Sequence, residues 1–307
     1  MENKIRIGTR DSQLAVWQAT LVMEQLEASG HPAELVYLKS EGDIDLVTPL
    51  YAIGVQGVFT RTLDAALLSG RIDLAVHSMK DVPVQLAQGI TAAAVLERAS
   101  SKDLMVLKGN DASFMDDPSG IATIATSSLR RKAQWLHKFP AHRIENLRGN
   151  VNTRLRKVSE SHWQGAIFAA AGLERIGERP ASAIELDWML PAPAQGAILI
   201  VCREKDIYLQ DICAFLNHPD TATCVSVERA FLSALMGGCS TPVGALASCE
   251  GGLLHFKGNV CSLDGATCLY EERTFPPDQA AHAGLEAAKA LLKQGAADLI
   301  QKTQAPI

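Results

Sequence analysis

Short aliphatic runs alternate with amphipathic stretches along the first two thirds of the chain, and few architectures accept that alternation. "KIRIG" (4–8) reads as a strand, and "SQLAVWQATLVMEQLEASG" (12–30) as the helix after it, with Ser12 as N-cap and Gly30 just past its end. "ELVYLK" is a second strand, "FTRTLDAALLSG" a second helix ending at Gly70, and "IDLAVHS" a third strand. Past a hinge-like stretch at 98–103, "RASSKD", the alternation resumes with "IATIAT", "HRIENL" and "GAIFAA"; "GAILIVC" near residue 200 is a further buried strand. Strands interleaved with helices predict parallel sheets covered on both faces. From about residue 220 the order changes: the helix "TCVSVERAFLSALMGG", strands "LHFKGNV" and "CLYEERTF", and the Ala-rich helix "DQAAHAGLEAAKALLKQG" predict a small α+β domain.

Composition narrows the class. With 307 residues, 47% hydrophobic and 21% charged, the chain reads as a soluble globular protein of two or three domains. "MENKIRIGTR" has no apolar run of a signal peptide and no later stretch is long enough to span a bilayer, which predicts a cytoplasmic protein with no membrane partner. A net charge of −5 argues against a nucleic-acid partner. The seven cysteines are odd in number, all in the last third, and without C-x-x-C spacing, so neither a disulfide framework nor a metal site is expected. Six of them read as small hydrophobic filler. Cys239 differs: in "MGGCSTPVG" (236–244) it follows two glycines and precedes a Ser-Thr-Pro turn, which predicts a thiol on a loop with little cover.

The unusual polar residues fall at equivalent places on this map. Arg10 follows the first strand, and "HSMKD", with His77, Lys80 and Asp81, follows the third. "TSSLRR" carries Arg130 and Arg131, "RGNVNTR" Arg148 and Arg154, and "AGLER" Arg175, each after a strand of the second group. Carboxyl ends of strands are where open α/β sheets bind ligands. A helix dipole disfavours cations at the helix start, so local stability does not explain the set, whereas a bound carboxylate or phosphate does. Taken one at a time, each arginine reads better as solvated or paired with a surface acid; taken together they predict a polyanion cleft. Asp81 could cap the turn before Val82-Pro83, or stabilise a cation and move protons inside that cleft. No Walker-type loop is present: "GVQG" (54–57) lacks the required lysine and hydroxyl.

The stretches "GTRDSQLAVWQA", "AVHSMKDVP", "ATSSLRRKAQ", "LRGNVNTRL", "AAAGLERIG", "PAPAQGAI" and "ERAFLSALMGGCSTPVGA" resemble, in order and spacing over nearly the whole chain, the porphobilinogen deaminase (hydroxymethylbilane synthase) family. The resemblance implies an α/β fold of two lobes like those of type II periplasmic binding proteins, joined by a hinge, plus a small C-terminal α+β domain. The implied domains are 1–98 with 197–217, 99–196, and 218–307. It implies a monomeric transferase of tetrapyrrole (haem) biosynthesis. Four porphobilinogens are added head to tail to a dipyrromethane cofactor, ammonia leaves at each addition, and hydrolysis frees hydroxymethylbilane. Cys239 matches the cysteine that holds the cofactor through a thioether, which gives the exposed thiol its purpose. Asp81 matches the catalytic aspartate, which would stabilise the cation left when ammonia departs. The resemblance further implies that Ser78, Lys80, Asp81, Ser127, Ser128, Arg130, Arg131 and Arg154 hold the cofactor. Arg10, Ser12, Gln18, Arg148, Arg175, Gln195 and Gly196 would bind substrate.

The chain departs from the family pattern at four places. Val55-Gln56-Gly57 stands where a Gly-Lys-Gly is usual in a lid-like segment, and Arg61 where a second lysine is common. Ala194 replaces a glycine before Gln195, and Asn152 a glycine in the "RGNVGTR" form. Two rivals stay open at this point: a polycarboxylate receptor with the same lobes, which gives Cys239 and Asp81 no role, and a degenerate homologue that binds precursors without joining them.

Overall fold

The computed structural model describes residues 4–39, 60–235 and 241–304. The first lobe is built on a five-stranded sheet. β1 (Ile5–Thr9) lies between β2 (Ala33–Tyr37) and β3 (Leu74–Ser78), parallel to both. α1 (Gln13–Ala28) makes the first crossover; Ser12 caps it, its hydroxyl accepting from the Ala15 N–H at 3.4 Å. α2 (Arg61–Leu68) precedes β3 and buries Leu63 and Leu67. β4 (Ile90–Val95) closes the far edge. Between β3 and β4 runs β10 (Ile198–Arg203), antiparallel to both, whose "ILIVC" is buried at every residue because the sheet is covered on its two faces.

The second lobe repeats the plan. β6 (Thr123–Ala125) lies between β7 (Arg143–Glu145) and β8 (Gly165–Ala169), parallel to both. β5 (Asp103–Leu107) runs antiparallel between β8 and the short β9 (Ile184–Glu185). α3 (Leu129–Lys138), α4 (Val151–Glu160) and α5 (Ala170–Glu174) follow β6, β7 and β8 in turn. In each sheet the fourth strand is the one entering from the other lobe: β5 follows β4, and β10 follows β9. Two crossings, near residues 96–102 and 190–197, therefore join the lobes.

After α6 (Ile207–Cys213) the chain enters α7 (Pro219–Ala234), then the antiparallel meander β11 (Val243–Glu250), β12 (Leu253–Cys261) and β13 (Cys268–Phe275). α8 (Ala280–Lys293) and α9 (Ala296–Gln304) complete the domain. Phe231 of α7 meets Phe256 of β12 edge to face, 5.0 Å between centroids. Gly284 lets α8 lie against α7: a Cβ there would sit 2.1 Å from the Val227 carbonyl oxygen.

The expectation of no disulfide is corrected. Cys261 and Cys268 are opposite one another in the β12–β13 register and their sulfurs are bonded. The register that pairs them joins residues across a turn, and residue spacing alone does not reveal which side chains a meander places opposite each other. Cys202, Cys213 and Cys224 are buried free thiols, as filler should be, and Cys249 is exposed.

Glu228, wholly buried on α7, ties the three units together. Its carboxylate accepts from Arg98 Nη1 and Nη2 at 2.6 and 3.1 Å, from the Ala194 N–H at 2.6 Å and from the Ala247 N–H at 2.7 Å. Arg98 also donates from Nε to the Gln195 carbonyl at 2.8 Å. One carboxylate thus holds both crossings and the edge of the third sheet.

Candidate active site

β1 and β6 are the switch points of their sheets, since the chain leaves each toward opposite neighbours, and loops at such points form the crevice of an open α/β sheet. On the first-lobe side, Arg10 and Ser12 lie between β1 and α1. Gln18, buried on α1, donates from Nε2 to the Ser78 hydroxyl at 2.9 Å, which fixes the end of β3. A single 3-10 turn, Met79–Asp81, follows and holds both Lys80 and Asp81 half-buried.

The centre of the crevice is a charge cluster spanning both lobes. Arg130 Nη1 meets the Asp103 carboxylate at 2.7 Å and the Leu190 carbonyl at 2.8 Å. Arg131 donates to the other Asp103 oxygen from Nη2 at 2.7 Å and from Nε at 3.2 Å, and to the Ile167 carbonyl at 2.8 Å. Gln195 donates from Nε2 to Asp103 at 2.9 Å and to the Ser101 carbonyl at 2.7 Å, while its Oε1 accepts from Lys80 Nζ at 3.2 Å. The path Lys80–Gln195–Asp103–Arg130/Arg131 therefore crosses from one lobe to the other through the hinge. The two guanidinium groups hold the Asp103 carboxyl well below the usual carboxylate range despite its burial. Burial, with Arg131 and Arg130 nearby, pulls the Lys80 amine down to about 8, Asp81 and Asp103 pulling the other way.

A second set of cations adjoins this one. Arg154 donates from Nε to the Gly149 carbonyl at 2.6 Å and lies close enough to Arg131, Arg148, Arg10 and Asp81 for each to act on it. Burial and the neighbouring guanidiniums lower Arg154 to about 10. Arg175 donates to the Gly196 carbonyl at 2.6 Å and lies 5.7 Å over the Trp17 ring of α1, bridging the lobes; burial lowers it to about 10. It caps the C-terminal end of α5, where a helix dipole favours a cation, rather than entering a first turn as the strand–helix map suggested. Ser128 caps α3, its hydroxyl accepting from the Arg131 N–H at 3.4 Å, and the Ser127 hydroxyl donates to the Leu147 carbonyl at 2.5 Å, joining the loops after β6 and β7.

Asp81 is the carboxylate that acts on both Lys80 and Arg154. Crowded, half-desolvated cations of one sign cost free energy unless something negative joins them, and such groups mark binding sites. Among the described residues, the buried Arg130 Nε and His77 Nε2 make no hydrogen bond. A ligand rich in carboxylates fits a donor set of this kind.

Reasoning from sequence missed Asp103, Arg98 and Glu228. Asp103 had a usable signal: an acid at the first position of "DLMVL", a strand buried at every residue. Glu228 had none. Ala194 has φ +63°, the only non-glycine among the described residues in the left-handed region, which explains why a glycine suits that place. Asn152 donates from its amide to the Gln13 side chain at 2.8 Å, a contact between lobes that glycine could not make. Cys239 and Val55-Gln56-Gly57 lie outside the described residues.

Two α/β lobes on one strand plan, hinged by two crossings and meeting at a cationic crevice, define a ligand-clasping α/β protein with an added α+β domain. The chain belongs to the porphobilinogen deaminase family. The family model "Porphobilinogen deaminase, dipyromethane cofactor binding domain" matches residues 5–211, and "Porphobilinogen deaminase, C-terminal domain" matches residues 222–293. A porphobilinogen deaminase of Pelobacter propionicus is 40% identical over 304 residues, covering 97% of each chain. One from Geobacter metallireducens is 40% identical over 301 residues, covering 97% of this chain and 94% of its own. Among solved structures, similarity extends to the periplasmic VFT2 domain of Bordetella pertussis BvgS (TM-score 0.42, 12% identity, 73% of this chain and 92% of that one). It extends also to a nutrient binding protein from Burkholderia cenocepacia bound to methionine (TM-score 0.42, 18% identity, 71% and 93%). No helix among the described residues is long and apolar enough to cross a membrane.

Proposed function

We propose that this chain is a hydroxymethylbilane synthase, joining porphobilinogen units head to tail on a dipyrromethane primer carried by Cys239. The observation that carries the reading is the crowding of cations in a crevice formed by both lobes, with the Asp81 carboxylate acting on Lys80 and Arg154 among them. Each pyrrole unit bears an acetate and a propionate, so a two-ring primer brings four carboxylates and every addition brings two more. Lys80, Arg130, Arg131 and Arg154, with Ser78, Ser127 and Ser128, would hold the primer; Arg10, Ser12, Gln18, Arg148 and Arg175 would receive incoming units, with Gln195 and Gly196 at the crossing. When bound, the primer supplies the nucleophilic pyrrole carbon at which the chain grows.

The chain's own residues do the rest. The Asp81 carboxylate lies beside the Lys80 and Arg154 charges at the crevice. Its carboxylate accepts a hydrogen bond from the pyrrole N–H of the incoming unit and stabilises the positive charge that develops as the amine leaves. The same carboxylate would accept the proton released at the new ring junction. The domains follow the division 1–98 with 197–217, 99–196 and 218–307, the hinge letting the lobes adjust to a lengthening product.

Intact-mass measurement and peptide mapping test the anchor. A two-pyrrole increment on the Cys239 peptide, absent from Cys239→Ser, is the expected result; an unmodified protein after incubation with porphobilinogen refutes the reading. Asp81→Asn should retain the increment yet lose roughly two to four decades in kcat, the range of a general acid–base and electrostatic contribution.

A further inference from the structure

The C-terminal domain holds a second pair of cysteines for which the proposed chemistry has no use. Cys224, buried in the first half of α7, and Cys249, exposed near the end of β11, have their Sγ atoms 3.5 Å apart. They are not the bonded pair, which lies across β12 and β13. They meet where α7 packs on β11, and the same seam is held by Glu228, one turn along α7, which accepts from the Ala247 N–H two residues before Cys249. Glu228 and Arg98 lie close enough to act on the Cys224 thiol, so the pair borders the junction of the three units. A disulfide needs the sulfurs to close from 3.5 Å to about 2.0 Å.

We propose that Cys224 and Cys249 form a reversible disulfide by exchange with a low-molecular-weight disulfide of the oxidised-glutathione class. Cys249, the exposed thiol, gives its proton to solvent and attacks one sulfur of the oxidant. The oxidant's S–S bond breaks, one glutathione thiolate leaves and takes up a proton, and a mixed disulfide forms on Cys249. Cys224 then loses its proton, attacks the Cys249 sulfur and expels the second glutathione thiolate. Two protein thiols are oxidised and one glutathione disulfide is reduced to two thiols. Burial and the neighbouring Cys249 push the Cys224 thiol up to about 12, so it is the resolving partner and Cys249 the point of entry. The bond staples α7 to the sheet beneath it.

The test uses the full chain, reduced with dithiothreitol and equilibrated across ratios of oxidised to reduced glutathione, then alkylated and mapped without reduction. A linked Cys224–Cys249 peptide that forms with oxidant and vanishes with dithiothreitol is expected, with the thermal midpoint rising by several degrees. Cys224→Ser should trap a stable glutathione adduct on Cys249, and Cys249→Ser should leave Cys224 unmodified. Recovery of wild-type Cys249 only as an adduct, free, or joined to a cysteine other than Cys224 would overturn the proposal. None of these readouts depends on catalytic activity.

Discussion

Asp103→Asn isolates what one buried carboxylate does for a cationic crevice. Asp103 has no solvent exposure and receives Arg130, Arg131 and Gln195 on its two oxygens. Asparagine keeps the shape but removes the charge and turns one acceptor into a donor facing guanidinium. Arg130 and Arg131 then lose the carboxylate that meets them, and Lys80 keeps only Asp81 as a nearby anion. Breaking a buried ion pair from one side costs about 3–5 kcal/mol, which for a chain of this size lowers the thermal midpoint by roughly 5–8 °C. The loss should depend on pH in a definite direction. The folded-state pKa of Asp103 is depressed, so its stabilisation is fully present above the unfolded value of about 4 and fades as pH falls toward the lower folded value. Urea unfolding of both proteins from pH 7 down to 3 should therefore show a gap that narrows only below about pH 4. A variant melting within a degree or two of the parent at pH 7, or a gap that does not change in acid, would refute this account of the cluster.

Other consequences follow from the same contacts. Glu228→Gln removes the charge facing Arg98 at the junction and should cost about 3–5 kcal/mol, with limited proteolysis opening near residues 98 and 194 before the lobes themselves are cut. Gly196→Ala sets a Cβ 2.7 Å from the Ala99 carbonyl oxygen and 2.8 Å from that of Ser100 at φ +90°, so urea unfolding should show a loss of about 3 kcal/mol. Lys80, lowered to about 8, should react with a small acylating reagent with a midpoint near that pH, well before the exposed lysines; peptide mapping against pH reads it directly. Because the folded value lies below the unfolded one near 10.4, this group's contribution to stability rises between those two pH values.

Much of the architecture was legible without coordinates because it is local. Runs such as "IDLAVHS" and "GAIFAA" carry the burial of a strand within their own few residues, and Ser12 announces the helix it caps. Arg130, Arg131 and Arg154 were legible for a related reason: a charge at the start of a helix after a strand stands where local stability would not put it, whereas Arg175 sits at a helix end. The partners of those charges were not legible. Asp103 lies more than twenty-five residues from Arg130 and Arg131 and more than ninety from Gln195, and only the antiparallel entry of β5 beside β8 brings them together. "ILIVC" reads as a buried strand, yet nothing in five apolar residues says that it returns to the first sheet and runs antiparallel there. The pairing of Cys261 with Cys268 likewise waited on the register of a meander. The amino-acid sequence by itself determined most of the strands and the main helices, β4, β5, β9 and β11 excepted, and which strand ends carry charge. Tertiary structure alone decided which buried charges neutralise one another, because Coulomb and hydrogen-bond partners are chosen by distance in space and not by distance along the chain.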